Sequence, residues 1–155
     1  MKVDFDEIKL KINEGTYHFI DSGSGRKVFD LGNGFVVKIA KNRRGIAQNK
    51  VEYQIASTDD SSIFAKIPDV SEDFYMLIME KAERINSISE VWRYYNVKSN
   101  QELFQLEELK NISRKYDLLF ADLRRPINWG MIQGRPVIID YGFTREIRRK
   151  YYSLL

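Results

Sequence analysis

Three side chains that carry oxygen ligands lie close together late in the sequence, at Asp122, Asn128 and Asp140. Asp122 and Asn128 fall in a polar loop before a short hairpin, whose turn we place at residues 133–134. Asp140 directly follows an apolar strand, residues 137–139. Mg²⁺ prefers such hard oxygen ligands, usually one or two carboxylates together with substrate phosphates, and a further carboxylate can orient an attacking hydroxyl. The residue types therefore fit a magnesium–nucleotide site. The alternative is an acidic surface loop before a buried strand.

Two helices are expected to lead into this loop, and both have a start signal. Residues 87–90 and 99–102 each match the capping box, Ser-x-x-Glu. The second helix is expected to run to the Asp122 loop, with apolar residues at helical spacing at Leu103, Leu106, Leu109, Ile112, Tyr116 and Leu119. The first helix carries Trp92, Tyr94 and Tyr95. These form either a base-stacking surface or, as we prefer, part of a core or interface.

The first half of the chain has the texture of an antiparallel sheet with one inserted helix. A short amphipathic helix with Phe5, Ile8 and Ile12 precedes it. Glycines at 32 and 34 supply a tight turn between the second and third strands. The helix is expected over residues 46–56, and the five strands are expected at residues 16–20, 27–31, 35–40, 63–67 and 74–80.

A lysine and a glutamate in this half are predicted to pair. Lys38 interrupts the apolar strand 35–40 and shares a strand face with apolar neighbours, so it needs a partner of opposite charge. Glu52 is the sole acid of the following helix and sits beside its apolar stripe. A surface glutamate with no partner is the alternative.

Composition limits the classes of protein to consider. The 155 residues are 43% hydrophobic, which fits one globular domain that buries roughly 70% of its unfolded surface. The chain has no cysteine, so disulfides and thiolate chemistry are excluded. The single histidine, His18, falls in a predicted strand and receives no catalytic role. We see neither a signal peptide nor a membrane span, and we expect a cytoplasmic protein. A net charge of +3 permits nucleic-acid binding without implying it.

Residues 120–144 resemble the catalytic loop and Asp-Phe-Gly turn of the protein-kinase-like family. The resemblance places Asp122 on the catalytic aspartate, Asn128 on the metal-binding asparagine, and Asp140, in Asp-Tyr-Gly, on the metal-binding turn. Arg124 falls where a basic residue can neutralise charge on the transferring phosphoryl group. Two features depart from the family: Phe-Ala replaces the usual His-Arg before Asp122, and Asn128 follows Asp122 by six positions where five are usual.

The resemblance extends to the first half of the chain. Lys38 matches the strand lysine that grips the α- and β-phosphates, and Glu52 matches its helix partner. The small-residue connection after residue 20 corresponds to the glycine-rich loop, although only Gly23 matches a glycine in register. Arg26 replaces an outer glycine and is a candidate phosphate contact. The resemblance implies a nucleotide site formed, besides Lys38, by Gly23, Ser24, Gly25, Arg26, Val28, Met79, Glu80 and Ala82, the last two through their main chain.

The resemblance implies an α+β, protein-kinase-like fold with a five-stranded antiparallel small lobe and one helix, plus a truncated, mainly helical large lobe. We place the small lobe and hinge at residues 1–82 and the reduced large lobe at residues 83–155. Short kinase-like proteins of bacteria and their viruses are what the whole most resembles. The basic tail formed by Arg145, Arg148, Arg149 and Lys150 is either a solvated helix face, a dock for an acidic partner or a nucleic-acid contact.

Three functions remain open from the sequence. The first is an ATP- and Mg²⁺-dependent phosphotransferase that acts on a protein or small-molecule hydroxyl. The second is a pseudokinase-type module that contacts a partner with little or no catalysis, and the third is a basic nucleic-acid-binding protein. We also expect that a second copy or another protein covers apolar surface left by a reduced large lobe.

Overall fold

The computed structural model describes residues 2–152 and, for Tyr152, the backbone alone. The described chain forms two compact units, one of residues 2–60 and 65–81 and the other of residues 61–64 and 82–152. The predicted lobes, 1–82 and 83–155, also include residues 1 and 153–155, which lie outside the described part. The elements in chain order are α1 (Phe5–Asn13), β1 (His18–Ser22), β2 (Arg26–Asp30), β3 (Phe35–Ala40), α2 (Arg43–Thr58), β4 (Asp69–Val70), β5 (Met76–Glu80), β6 (Glu83–Arg84), α3 (Ser89–Tyr95), α4 (Asn100–Leu103), α5 (Glu107–Tyr116), α6 (Phe120–Leu123), a 3₁₀ turn (Pro126–Asn128), β7 (Trp129–Ile132), β8 (Arg135–Ile138) and α7 (Arg145–Tyr152).

The first unit is built on a five-stranded antiparallel sheet with the strand order β1-β2-β3-β5-β4. The turn between β2 and β3 uses Gly32 and Gly34 at φ values of 76° and 90°, as the glycine spacing predicted. Helix α1 packs Ile8 into a core that contains Val37, Met76 and Ile78. Residues on alternate positions of β3 and β5 therefore point into one core. This fixes the register between β5 and β3, the strand that carries Lys38.

One predicted strand of this sheet was wrong. Residues 63–67 do not join it, and the edge strand is the two-residue β4. Ile63 and Phe64 are instead buried in the second unit, with exposed fractions of 2% and 4%. The Phe64 ring lies 4.6 Å from the Tyr141 ring, and Phe64 makes a single parallel bridge to Ile138. Aromatic packing, rather than ladder pairing, accounts for the apolar run.

The second unit combines short helices with a three-stranded antiparallel sheet ordered β6-β7-β8. The turn between β7 and β8 falls at Gln133 and Gly134, with φ values of 51° and 74°, as predicted. Positive φ at both central residues is the requirement of a type I′ hairpin turn. This hairpin fixes the loop before β7 and the turn after β8 on one small sheet.

The helices of this unit differ from the prediction in two places. The long second helix is interrupted at residues 104–106, where the buried Phe104 ring stacks on Phe120 at 4.6 Å, and it ends at Asp117 in a left-handed conformation. The capping box at Ser99 forms, because its hydroxyl accepts from the Glu102 N–H at 3.1 Å. Before helix α3, which begins at Ser89, the Glu90 carboxylate accepts from the Ser87 N–H at 3.2 Å and the Ser87 hydroxyl accepts from the Ser89 N–H at 3.2 Å. Within residues 2–152, no helix combines the length and apolarity needed to cross a membrane.

Candidate active site

The first unit contains a buried cluster of two cations around one carboxylate. Lys38 Nζ lies 2.9 Å from Glu52 Oε1, and Arg26 donates to both carboxylate oxygens at 2.7 Å and 2.9 Å. The exposed fractions are 6% for Lys38, 7% for Arg26 and 0% for Glu52. Charges this deeply buried are retained only when they are paired and hydrogen-bonded. The predicted Lys38–Glu52 pair is thus present in the structure, and Arg26 makes it a triad.

Three elements position this triad. Lys38 stands in the middle of β3, opposite Val28 on one side and Leu77 on the other. Arg26 begins β2, and Glu52 projects from the middle of α2. On the same helix Asn49 accepts from Arg26 Nη1 at 3.0 Å. Because Asn49 also donates to the Phe74 carbonyl ahead of β5 at 2.8 Å, helix α2 is tied to β2 and to the chain that leads into β5, the two strands that flank β3.

The electrostatics of the triad keep Glu52 ionised. Burial by itself would raise the pKa of Glu52, but the adjacent charges of Arg26 and Lys38 lower it to about 2. The triad itself carries two positive charges and one negative charge. Arginine and lysine are the side chains that proteins use to bind phosphate.

The loop between β1 and β2 packs tightly against the start of α2. A Cβ added to Gly45 would lie 2.0 Å from the carbonyl oxygen of Gly25, so only glycine fits there. Asn42, the N-cap of α2, donates to the Ser24 carbonyl at 3.1 Å, and Lys41 donates to the carbonyl of Gly23. The carbonyl side of the loop is therefore held by the residues around the start of α2.

The predicted phosphate contacts of this loop differ in their exposure to solvent. Gly23 and Ser24 are exposed, whereas Gly25 is buried against Gly45. Arg26, expected as a phosphate contact, gives its guanidinium to Glu52 and Asn49 instead. The physical reason is that Glu52 offers both carboxylate oxygens in the fork geometry that arginine favours.

The residues expected at the adenine end occupy the end of β5. Met79 is 1% exposed and lies opposite Val36. The N–H of Glu80 donates to the Lys66 carbonyl at 2.9 Å, so any hydrogen bond from the Glu80 main chain to a base would use its carbonyl oxygen. Ala82 belongs to the second unit. A Cβ added to Gly130 would lie 2.6 Å from the Cβ of Ala82, so the two residues are in close contact.

Asp122 lies on the one-turn helix α6 of the second unit. Its Oδ1 is 3.7 Å from Arg148 Nη2, and its Oδ2 is buried without a hydrogen-bond partner in the described structure. Burial raises the pKa of Asp122; Arg148 opposes this, Asp140 adds to it and Arg125 opposes it, and the net pKa is raised. A carboxylate with an unsatisfied oxygen and a raised pKa has the properties of a general base that still needs a donor.

Asn128 is bound to the loop that carries Asp122 despite the extra residue in the spacing. Its Nδ2 donates to the Asp122 carbonyl at 2.8 Å. Helix α6 ends at Leu123, and a 3₁₀ turn begins at Pro126, in which the Asn128 N–H donates to the Arg125 carbonyl at 3.1 Å. The planar amide then turns Oδ1 away from the Asp122 main chain, as a metal ligand would require.

Asp140 is joined to the same loop through its neighbour. The Ile139 N–H donates to the Asn128 carbonyl at 2.8 Å, immediately before Asp140 in the chain. Asp140 is exposed, and the following Tyr141 is buried at 1% exposure against Phe64. Asp122, Asn128 and Asp140 thus lie in one unit, and their roles as catalytic base and metal ligands stay predictions. An amide oxygen and a carboxylate fit the ligand preference of Mg²⁺.

Two contributors to this region were not found from the sequence. Trp129 donates its indole N–H to the Leu123 carbonyl at 2.8 Å, and this bond ties the end of α6 to the start of β7. Arg148 on α7 contacts Asp122, although the basic tail was expected mainly as a solvated face. Arg124 is exposed, with its guanidinium 5.9 Å from the centre of the Phe104 ring. Spacing along one element carries no signal for contacts between distant elements, so the Arg148 contact had no signature in the sequence.

Comparisons with known proteins give matches among solved structures alone. No family model and no curated protein matches the chain. APH(2")-IIa, solved in a ternary complex with streptomycin and ATP, is 18% identical with a TM-score of 0.47, and the match covers 92% of this chain and 72% of that chain. Two structures of the PknI kinase domain of Mycobacterium tuberculosis are each 14% identical with TM-scores of 0.45 and 0.46. They are matched over 81% and 83% of this chain and 59% of their own length.

The architecture agrees with the prediction made from the resemblance. The described residues form an α+β structure with a five-stranded antiparallel sheet, and α2 lies in the chain between β3 and the last strands of that sheet. The strand lysine and the helix glutamate are paired as in protein kinases. The described residues thus have the α+β architecture that the resemblance implied.

Proposed function

We propose that the protein is an ATP- and Mg²⁺-dependent phosphotransferase that moves the γ-phosphoryl group to a hydroxyl of a protein or small molecule. The observation that carries the proposal is the buried Lys38–Glu52 pair at 2.9 Å. A buried ion pair is weak support for stability, because desolvation offsets much of its Coulomb energy. Its retention is better explained by a need to hold a lysine in place for phosphate.

In the first unit, Glu52 would position Lys38, and Lys38 would contact the α- and β-phosphates. Glu52 holds the Lys38 ammonium group at 2.9 Å. The main chain around Gly23 and Ser24, with Val28 and Met79, would contact the rest of the nucleotide. Arg26 acts here through Glu52 and not by direct contact with phosphate.

In the second unit, Asn128 Oδ1 and the Asp140 carboxylate would hold Mg²⁺. The donor set fits, since both groups are oxygen ligands on one bonded loop. The ion, when bound, would neutralise charge on the phosphates. Arg124 would add positive charge for the transferring group.

The proposed reaction is a single displacement at phosphorus. The acceptor hydroxyl oxygen forms a bond to the γ-phosphorus of ATP, and the bond from that phosphorus to the β–γ bridging oxygen breaks to release ADP. The acceptor proton passes to the Asp122 carboxylate, whose side chain is 19% exposed. Positioning and electrostatics of this kind are each typically worth 10²-fold or more in turnover.

The test is calorimetric titration of ATP, with and without Mg²⁺, into the wild type, Asp140→Asn and Lys38→Met. We expect Mg²⁺-dependent binding by the wild type and at least a tenfold loss in each variant. Glu146→Gln, which removes an exposed acid of the second unit, is the matched control and should bind as the wild type does. Asp122→Asn should bind ATP normally and lose transfer.

The outcomes separate the remaining functions. No ATP binding by a folded wild type would refute the proposal and favour a module that acts by contacting a partner. One observation supports that second candidate: Arg26 replaces an outer glycine of the phosphate loop and donates to Glu52 and Asn49. Binding that Asp140→Asn leaves unchanged would refute the metal assignment specifically.

A further inference from the structure

Arg148 lies beside Asp122 but is too far away for a hydrogen bond of ordinary length. The Nη2–Oδ1 distance of 3.7 Å is longer than a hydrogen bond, and half of the Arg148 side chain is exposed. Its guanidinium carbon lies 5.0 Å from the centre of the Phe143 ring, a cation–π contact that favours this position of the side chain. Arg148 therefore presents an oriented set of donors next to the proposed catalytic carboxylate.

The surrounding segment is the basic part of the chain. Residues 117–152 contain seven arginines and lysines and four acids, so the rest of the chain is balanced at eighteen of each. Arg124 and Arg125 follow Asp122 directly, and both are exposed. The Arg125 N–H donates to the Asp122 carbonyl at 3.1 Å, which holds this turn against Asp122. The excess positive charge of the molecule is thus concentrated in the stretch that contains the acceptor base.

Asp122 and Arg148 can bind two different groups of one substrate, because a carboxylate accepts hydrogen bonds and a guanidinium donates them. The Asp122 side chain is 19% exposed, and its Oδ1, which lies 3.7 Å from Arg148, can accept a hydrogen bond from an acceptor hydroxyl. Arg148 needs a hydrogen-bond acceptor, and its planar fork matches a phosphate or a carboxylate. A single molecule that carries a hydroxyl and an anionic group satisfies both residues at once.

We propose that Arg148 determines acceptor specificity by binding an anionic group of the substrate, so that the acceptor is a hydroxyl compound that also carries a phosphate or carboxylate. The 3.7 Å between the two residues and hydrogen bonds of ordinary length set the hydroxyl and the anion roughly 3–6 Å apart. Small hydroxy acids and sugar phosphates have this spacing. The inference rests on the proposed role of Asp122 as the acceptor base.

The experiment measures binding, so it does not depend on turnover. Glycerol 3-phosphate, glycerate and glycerol are titrated calorimetrically into the full chain at low ionic strength, without ATP. We expect both anions to bind at least tenfold more tightly than glycerol. Arg148→Ala should remove that preference, and Arg148→Lys should restore part of it for glycerol 3-phosphate because the charge remains while the fork is lost.

Arg145→Ala is the matched control. Arg145 lies on the same helix, one turn earlier, and its contact is Asp117 at 3.6 Å, not Asp122. The control should bind the two anions as the wild type does. Equal binding of anions and glycerol, or anion binding that survives Arg148→Ala in a folded protein, overturns the proposal.

Two further outcomes are distinguishable. Single-stranded DNA that binds with a steep salt dependence, and is weakened equally by Arg148→Ala and Arg145→Ala, would indicate a general nucleic-acid surface and overturn the proposal. Failure of the wild type to bind Mg²⁺-ATP would refute the phosphotransferase, while the anion titrations would still report on Arg148.

Discussion

Replacing Glu52 by glutamine removes the carboxylate that Arg26 and Lys38 share, and the structure allows the cost to be worked out. The pKa of Glu52 is lowered from 4.5 to about 2 in the folded protein, with burial opposing and the two cations driving the shift. A shift of that size corresponds to about 3 kcal/mol of stability at neutral pH. Because arginine cannot lose its proton, Arg26 stays charged in the variant and its burial is uncompensated.

The sign of the pH dependence follows from the depressed pKa. The stability that Glu52 contributes is fully present well above its unfolded pKa of 4.5, and it is lost as the pH falls through the folded value of about 2. The difference between wild type and Glu52→Gln should therefore be about 3 kcal/mol at pH 7. It should narrow by about 1 kcal/mol at pH 4 and by about 2 kcal/mol at pH 3.

The assay is urea unfolding followed by far-UV circular dichroism. A loss of about 3 kcal/mol should lower the urea midpoint by roughly 1–3 M. Tryptophan fluorescence is the wrong probe, since the two tryptophans, Trp92 and Trp129, both lie in the second unit. The exposed Glu72→Gln, in the first unit, is the control and should change stability by less than about 0.5 kcal/mol. A difference below 1 kcal/mol at pH 7, or one that does not narrow on acidification, would contradict the reasoning.

Three other substitutions test the local packing. Gly45→Ala forces a Cβ to within 2.0 Å of a carbonyl oxygen and should cost about 1–3 kcal/mol, whereas Gly23→Ala, with nothing within 4 Å, should be nearly neutral by urea unfolding. Trp129→Phe loses the 2.8 Å hydrogen bond to the Leu123 carbonyl and leaves that carbonyl buried without a donor. The free energy of unfolding should fall by about 1–3 kcal/mol, measured by the fluorescence of the remaining Trp92. Ser99→Ala removes the N-cap of α4 and should cost about 1 kcal/mol in thermal unfolding; an unchanged melting temperature would show that the cap is dispensable.

The sequence was most informative where local chemistry decides the structure. The glycine turn at residues 32–34 and the hairpin turn at residues 133–134 formed as predicted, because positive φ values constrain the residue types allowed there. The pairing of Lys38 with Glu52 was predicted because a lysine within an apolar strand needs a nearby counter-charge, and the next helix offered one acid.

The errors arose where packing between distant segments decides the structure. Residues 63–67 have a strand-like composition, but Ile63 and Phe64 are buried in the second unit, where the Phe64 ring packs against Tyr116 and Tyr141. The helix predicted through residue 119 is broken because Phe104 stacks on Phe120. The binding of Arg26 by Glu52 and the contact of Arg148 with Asp122 join residues more than twenty positions apart, which periodicity cannot detect.

The assignment of residues 61–64 to the second unit has a consequence for the order in which the chain folds during synthesis. Phe64 leaves the ribosome ahead of β4 and β5, but the rings that cover it, Tyr116 and Tyr141, follow more than fifty residues later. At typical translation rates this delay is roughly 3–10 s or longer. The flanking residues 2–60 and 65–81 can form their sheet in that time, while Ile63 and Phe64 remain as an uncovered apolar loop. Residues 61–64 are therefore synthesised before the last strands of the first unit, although they pack in the second unit.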